Sequence, residues 1–177
     1  MVSPAVMPTP STYAAVLALP WALLAGACKS PDPKAEIELR ELEGYWAVDP
    51  TVGGTQYLAP VVRFQLVNKA ASSRSIEAMA TFRRKGEGPA WSSAWHTVSP
   101  LPDGKALPAG QSALVVLKPE GEGRYTFRGT AEEMFQHPEF KDVTAEVFVR
   151  VGSSSWTRFA DVDVPRRLGS HTVEAFK

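Results

Sequence analysis

The chain has one cysteine in 177 residues, Cys28. A lone thiol forms no internal disulfide and completes no zinc ligand set, so packing and hydrogen bonds must hold the fold. An excess of one charge is also missing, because 19 Lys and Arg balance 19 Asp and Glu. There is then no long-range field to gather phosphate backbones or acidic polymers, which argues against nucleic-acid binding. Histidine is scarce, and His96, His137 and His171 share no metal-ligand spacing. No HExxH, GxSxG, Walker or GxGxxG pattern occurs, and no serine has an evident neighbouring base. These absences point away from an enzyme, and no cofactor or metal is expected.

Residues 1 to 27 lack charge of either sign, with no Asp, Glu, Lys, Arg or His among them. Within this stretch Ala14 to Leu24, "AAVLALPWALL", is an apolar run of signal-peptide length. It is short for a bilayer span, which needs about 20 apolar residues. A buried core helix is the competing reading, opposed by Pro20 inside the run and by Pro4, Pro8 and Pro10 before it. The small residues Ala25, Gly26 and Ala27 then fit a cleavage site, and Cys28 comes next. A plain secretory leader has no use for a cysteine there. Lipid attachment does, because a thiolate is the nucleophile that takes the lipid.

The run Leu24-Ala25-Gly26-Ala27-Cys28 resembles the lipobox of bacterial lipoproteins, with Leu one place earlier than usual and Ala25 in its stead. The resemblance implies a signal peptide over 1–27, removed before Cys28, and lipid on Cys28 that holds the protein on a membrane. Lys29 rather than Asp after the cysteine implies the outer membrane of a diderm cell envelope. One departure is that no Lys or Arg precedes the apolar run, where a basic segment is usual. Residues 28–34, including the polar, proline-rich "KSPDPK", read as a tether.

Beyond the tether the dominant period is two. Val62, Phe64 and Leu66 alternate with polar or outward positions, as do Ile76, Ala78, Ala80 and Phe82, and Val143, Ala145, Val147 and Val149. Such alternation belongs to antiparallel sheets with one wet face. Weaker strands are expected at about 36–48, 90–98, 112–119 and 156–164, separated by turn signals such as "DPTVGG", "KGEGP" and "VGSSS". Fifteen prolines and thirteen glycines agree with many turns. The expectation is an all-β domain over 35–168, an immunoglobulin-like antiparallel β-sandwich of about seven strands, with a flexible tail over 169–177. One short helix is expected at "TAEEMFQHP", where Thr130 and Glu133 form a capping box and Pro138 marks the end.

The run "VVRFQLVNKAASSRSIEAMATFRRKGE" resembles the hairpin of FxLYD-type domains of the bacterial envelope. Phe82 stands at the Phe, while Arg83 and Arg84 replace the usual continuation. The resemblance implies an extracytoplasmic sandwich and no particular activity. For binding, Trp91 and Trp95 are four apart and share a face if their strand is regular, and Arg83 and Arg84 add cationic groups. Together they form the candidate binding surface for an envelope protein or polysaccharide. Core packing is the competing reading of the tryptophans, as it is for Trp46 and Trp156. Asp161 and Asp163 lie on one strand face, but the loop spacing of a calcium site is missing. The reading is a non-catalytic envelope lipoprotein module; the alternative is a carbohydrate-binding module using surface tryptophans.

Overall fold

The computed structural model describes residues 31–50, 55–88, 90–98, 106–119 and 123–169. The leader, Cys28 and His171 lie outside the described residues. In chain order the described elements are α1 (Pro33–Glu36), β1 (Ile37–Pro50), β2 (Gln56–Asn68), β3 (Ile76–Arg84), β4 (Ser92–Val98), β5 (Ser112–Leu117), β6 (Tyr125–Phe127), α2 (Ala131–Gln136), β7 (Val143–Val151) and β8 (Thr157–Val164).

Two antiparallel sheets face each other. In the first, β2 pairs with β1 on one side and with β5 and β6 on the other. The second has the order β4-β3-β7-β8. This arrangement of strands 1-2-5 against 4-3-7-8 is the immunoglobulin-like sandwich expected from the alternation. Eight strands are described instead of about seven, the addition being the three-residue β6. The inward residues are those the period of two selects: Phe64, Leu66, Ile76, Ala78, Ala80, Phe82, Ala145 and Val147 are all buried between the sheets. Filling that space supplies the main favourable term, about 25 cal/mol for each Å² of apolar surface removed from water.

β1 departs from simple alternation. Its register against β2 shifts between Arg40 and Glu43, and Glu41 takes a φ of 50°. One extra residue in a strand exchanges its two faces. Ile37 is inward before the bulge, whereas Gly44 and Trp46, opposite Val62 and Pro60, are inward after it. Gly44 is required there, because a Cβ would collide with the backbone carbonyl of Asp163 on β8. The segment after β8 then covers the edge of β1, as the Trp46 backbone N–H donates to the Arg167 carbonyl and the Gly169 N–H donates to the Trp46 carbonyl.

The sandwich has two distinct poles. At one lie α1, the β2–β3 turn, Leu107 and the β7–β8 turn, joined by hydrogen bonds from Lys69 N–H to the Glu36 carbonyl and from Gly152 N–H to the Ser75 carbonyl. The Arg74 guanidinium grips the Glu36 carboxylate at 2.6 and 2.9 Å. Folded structure therefore reaches into the expected tether, where Asp32 caps α1 and Pro33 is buried. At the other pole lie β6, α2, the end of β3 and the start of β7, linked by the bond from Lys85 N–H to the Asp142 carbonyl.

Candidate functional site

The pole opposite α1 holds a cavity of about 520 Å³, lined by Arg84, Tyr125, Thr126, Phe127, Arg128, Glu133, Met134, His137 and Glu139. Tyr125 and Phe127 are its aromatic lining, and Tyr125 joins a buried cluster of rings. Trp46, fully buried, lies 5.0 Å from Phe140 and 5.9 Å from Tyr125 between ring centroids, and Phe135 meets Phe140 edge-on at 5.3 Å. Such tilted and edge contacts suit the ring quadrupoles and add to simple burial. The Tyr125 hydroxyl accepts the Lys141 N–H at 3.0 Å, which fixes the ring that the cavity exposes.

α2 forms one wall. Thr130 accepts the Glu133 N–H and the Glu133 carboxylate accepts the Thr130 N–H, the capping box expected from the sequence. Phe135 turns into the core, and Met134 packs against it from the cavity side. At the helix end the His137 Nδ1 accepts the Glu139 N–H, so the neutral ring carries its proton on Nε2. The Arg166 guanidinium holds this wall from behind by donating to the Phe135 carbonyl and to Asp142, with its carbon 5.1 Å from the Phe140 centroid.

β3 delivers the cation. Because strand residues alternate, Arg83 and Arg84 part company. Arg83 lies on the outer face, donating to Glu146 at 3.2 Å and to the Gly88 carbonyl at 3.3 Å. Arg84 continues the face of Phe82 past the rim of the core. Its guanidinium carbon sits 4.2 Å from the Trp91 ring centroid and 5.0 Å from that of Tyr125. The backbone at Trp91 is held beside β3 by its main-chain N–H, which donates to the Phe82 carbonyl at 2.7 Å. Among the described residues Arg84 Nε is buried without a hydrogen-bond partner, and Nη1 forms a long ion pair with a Glu87 carboxylate oxygen at 3.7 Å.

The residues singled out from the sequence are thus divided. Trp91 and Arg84 meet at the cavity edge, with Trp91 half-buried against the core. Arg83 belongs to an ion network on the outer face with Glu146, Arg158 and Asp161. Trp95 pairs with Met79 in the β3–β4 register, and His96 with Ala78; their side chains lie outside the described residues. Trp156 lies under the Arg150 guanidinium at 4.7 Å. Asp161 and Asp163 face Arg158 and Lys85 respectively. Among the described residues no group of three His, Cys, Asp or Glu is placed to hold a metal ion.

Sequence reasoning did not single out Tyr125, Arg128 or Glu139 as site residues. The available signal was the alternation of Tyr125 and Phe127 directly ahead of the capping box, in a stretch shorter than an ordinary strand. No family model and no curated protein matches the chain. Among solved structures it is similar to part of a β-glucuronidase from glycoside hydrolase family 2, at 10% identity and a TM-score of 0.40. That match covers 69% of this chain and 11% of the other, and a likeness of this size says nothing about activity. Among the described residues no helix is long and apolar enough to cross a membrane.

Proposed function

We propose that the chain is a bacterial envelope lipoprotein in which lipid on Cys28 anchors a non-catalytic β-sandwich that binds a ligand or partner. The observation that carries the reading is the position of the only cysteine, directly after Ala25-Gly26-Ala27 and an uncharged apolar leader. Acyl chains on one residue bury enough methylene to hold a protein on a membrane, each CH₂ contributing about 0.8 kcal/mol.

The polarity of the sandwich supports this reading. α1 begins at Pro33, five residues after Cys28, and lies at the pole opposite the cavity. β3 runs between the two poles with nine residues, which at about 3.3 Å per residue is about 30 Å. A lipid at Cys28 would hold the α1 pole towards the membrane and present the cavity away from it. Lys29 after the lipidated position favours the outer membrane as the destination.

Metabolic labelling with radioactive palmitate in a bacterial host tests the anchor. The wild-type protein is expected to take up label and to fractionate with membranes, and Cys28→Ser is expected to do neither. Equal labelling of the two proteins, or none in the wild type, would remove the lipoprotein reading.

A further inference from the structure

We propose that the cavity binds a compact monocarboxylate rich in O–H or N–H donors, with Arg84 holding the carboxylate. This deepens the binding half of the proposed function and does not depend on the lipid.

Arg84 is the starting point. A guanidinium carries five N–H donors in a rigid plane and remains charged at any physiological pH. Here Trp91 and Tyr125 hold that plane, with centroids 4.2 and 5.0 Å from its carbon. Among the described residues no acceptor lies within hydrogen-bond distance of it: Nε is buried and unpartnered, and Glu87 stands off at 3.7 Å. Arg84 lines the cavity with a side chain one-quarter exposed, so donors of its guanidinium are open to an acceptor that enters there. A planar oxyanion matches the fork with two parallel bonds.

The opposite wall narrows the class. Glu133 and Glu139 line the same space. One Glu133 oxygen is occupied by the Thr130 N–H, which leaves the other to accept, and Glu139 is exposed. With Arg84 and Arg128 set against these two carboxylates, the lining has no net charge when His137 is neutral. A phosphate dianion would face both carboxylates. A single carboxylate at Arg84 avoids that repulsion, and donors at the ligand's other end would satisfy the glutamates. The volume of about 520 Å³ suits a sugar ring or a dipeptide and falls in the usual range for small-molecule sites.

Calorimetric titration of the full-length protein in detergent tests this with four probes. N-acetylmuramate offers a carboxylate with hydroxyl donors, and D-alanyl-D-alanine a carboxylate with an ammonium donor. N-acetylglucosamine lacks the carboxylate, and inorganic phosphate lacks the donor-rich body. Saturable binding of either carboxylate is expected, at least about tenfold tighter than N-acetylglucosamine or phosphate, and the tighter of the two identifies the donor type. Arg84→Met is expected to weaken it by about tenfold or more, the scale of a lost charge-assisted pair. Since Arg84 also packs on two rings, Glu139→Gln provides a variant at an exposed position; it is expected to improve phosphate binding while leaving the melting temperature unchanged. The proposal is overturned if neither carboxylate saturates, if N-acetylglucosamine or phosphate binds as well, or if either variant leaves its stated affinity unchanged. Failure here with palmitate still on Cys28 would reject the ligand class and spare the anchor.

Discussion

Asn68 is fully buried between β2 and the turn that follows it. Its amide donates to the Leu107 carbonyl at 2.8 Å and the Ser72 carbonyl at 3.0 Å, while its side-chain oxygen accepts the Ala70 N–H at 3.0 Å. One side chain therefore closes the β2–β3 turn and ties the Leu107 segment to it. Asn68→Ala would take this partner from the Ala70 N–H and the Ser72 carbonyl, while the Leu107 carbonyl keeps the Arg74 N–H, and an unsatisfied buried group costs about 1–3 kcal/mol. Urea denaturation is expected to show a loss in that range with an unchanged m-value; a loss near zero would mean that water replaces the amide. The sequence showed Asn68 only as the last residue of a strand, because two of its partners are backbone groups of the turn that follows and the third, Leu107, is 39 positions away. Arg84 was legible as a cation. Its separation from Arg83 follows from the period of two, but its place between two rings depends on the return of Trp91 and the arrival of Tyr125 from 41 positions further along.

At the scale of elements, the strands with strict alternation were the most legible, since β3 and β7 bury every second residue as the pattern demands. The capping box of α2 was equally legible, being a local pairing across three residues. β6 was not, because three residues carry too little periodicity to stand out. The bulge in β1 also escaped, since the sequence marks no glycine at Glu41 and the exchange of faces is set by the packing of Trp46.

The latch behind α2 gives this scale its prediction. The hydrogen bond from Arg166 holds the Asp142 carboxyl below the ordinary aspartate range, with partial burial opposing it and the charges of Arg166 and Lys85 adding to it. A carboxyl more acidic in the folded state than in the unfolded chain lends stability while ionised. Its contribution is complete above the ordinary aspartate pKa and disappears as pH falls through the depressed folded value. Melting temperatures measured from neutral pH to about pH 2 should therefore show wild type above Asp142→Asn at neutrality, with the gap closing at the acid end. Parallel curves would mean that the latch contributes nothing. Because both side chains are nearly half exposed, the gap at neutral pH should be small and should shrink further in salt.

For the whole molecule, the sandwich was readable from the alternation and turn spacing, whereas the cavity was not, because it is assembled from the end of β3, β6, α2 and the residues on either side of that helix. The two poles differ: α1 is fastened by Asp32, Glu36 and Arg74 at one end, and the Arg84 guanidinium, held on two rings with no hydrogen bond to its Nε among the described residues, lies at the other. In the proposed reading, a lipid at Cys28 would turn that asymmetry into an orientation, membrane at the first pole and ligand at the second. The measurement that tests this most directly is the intact mass of the protein recovered from bacterial membranes, wild type beside Cys28→Ser. The account predicts a wild-type chain that starts at Cys28 and carries acyl mass, and a Cys28→Ser chain without it. A wild-type chain that retains residues 1–27, or that starts at Cys28 with no added mass, would contradict it.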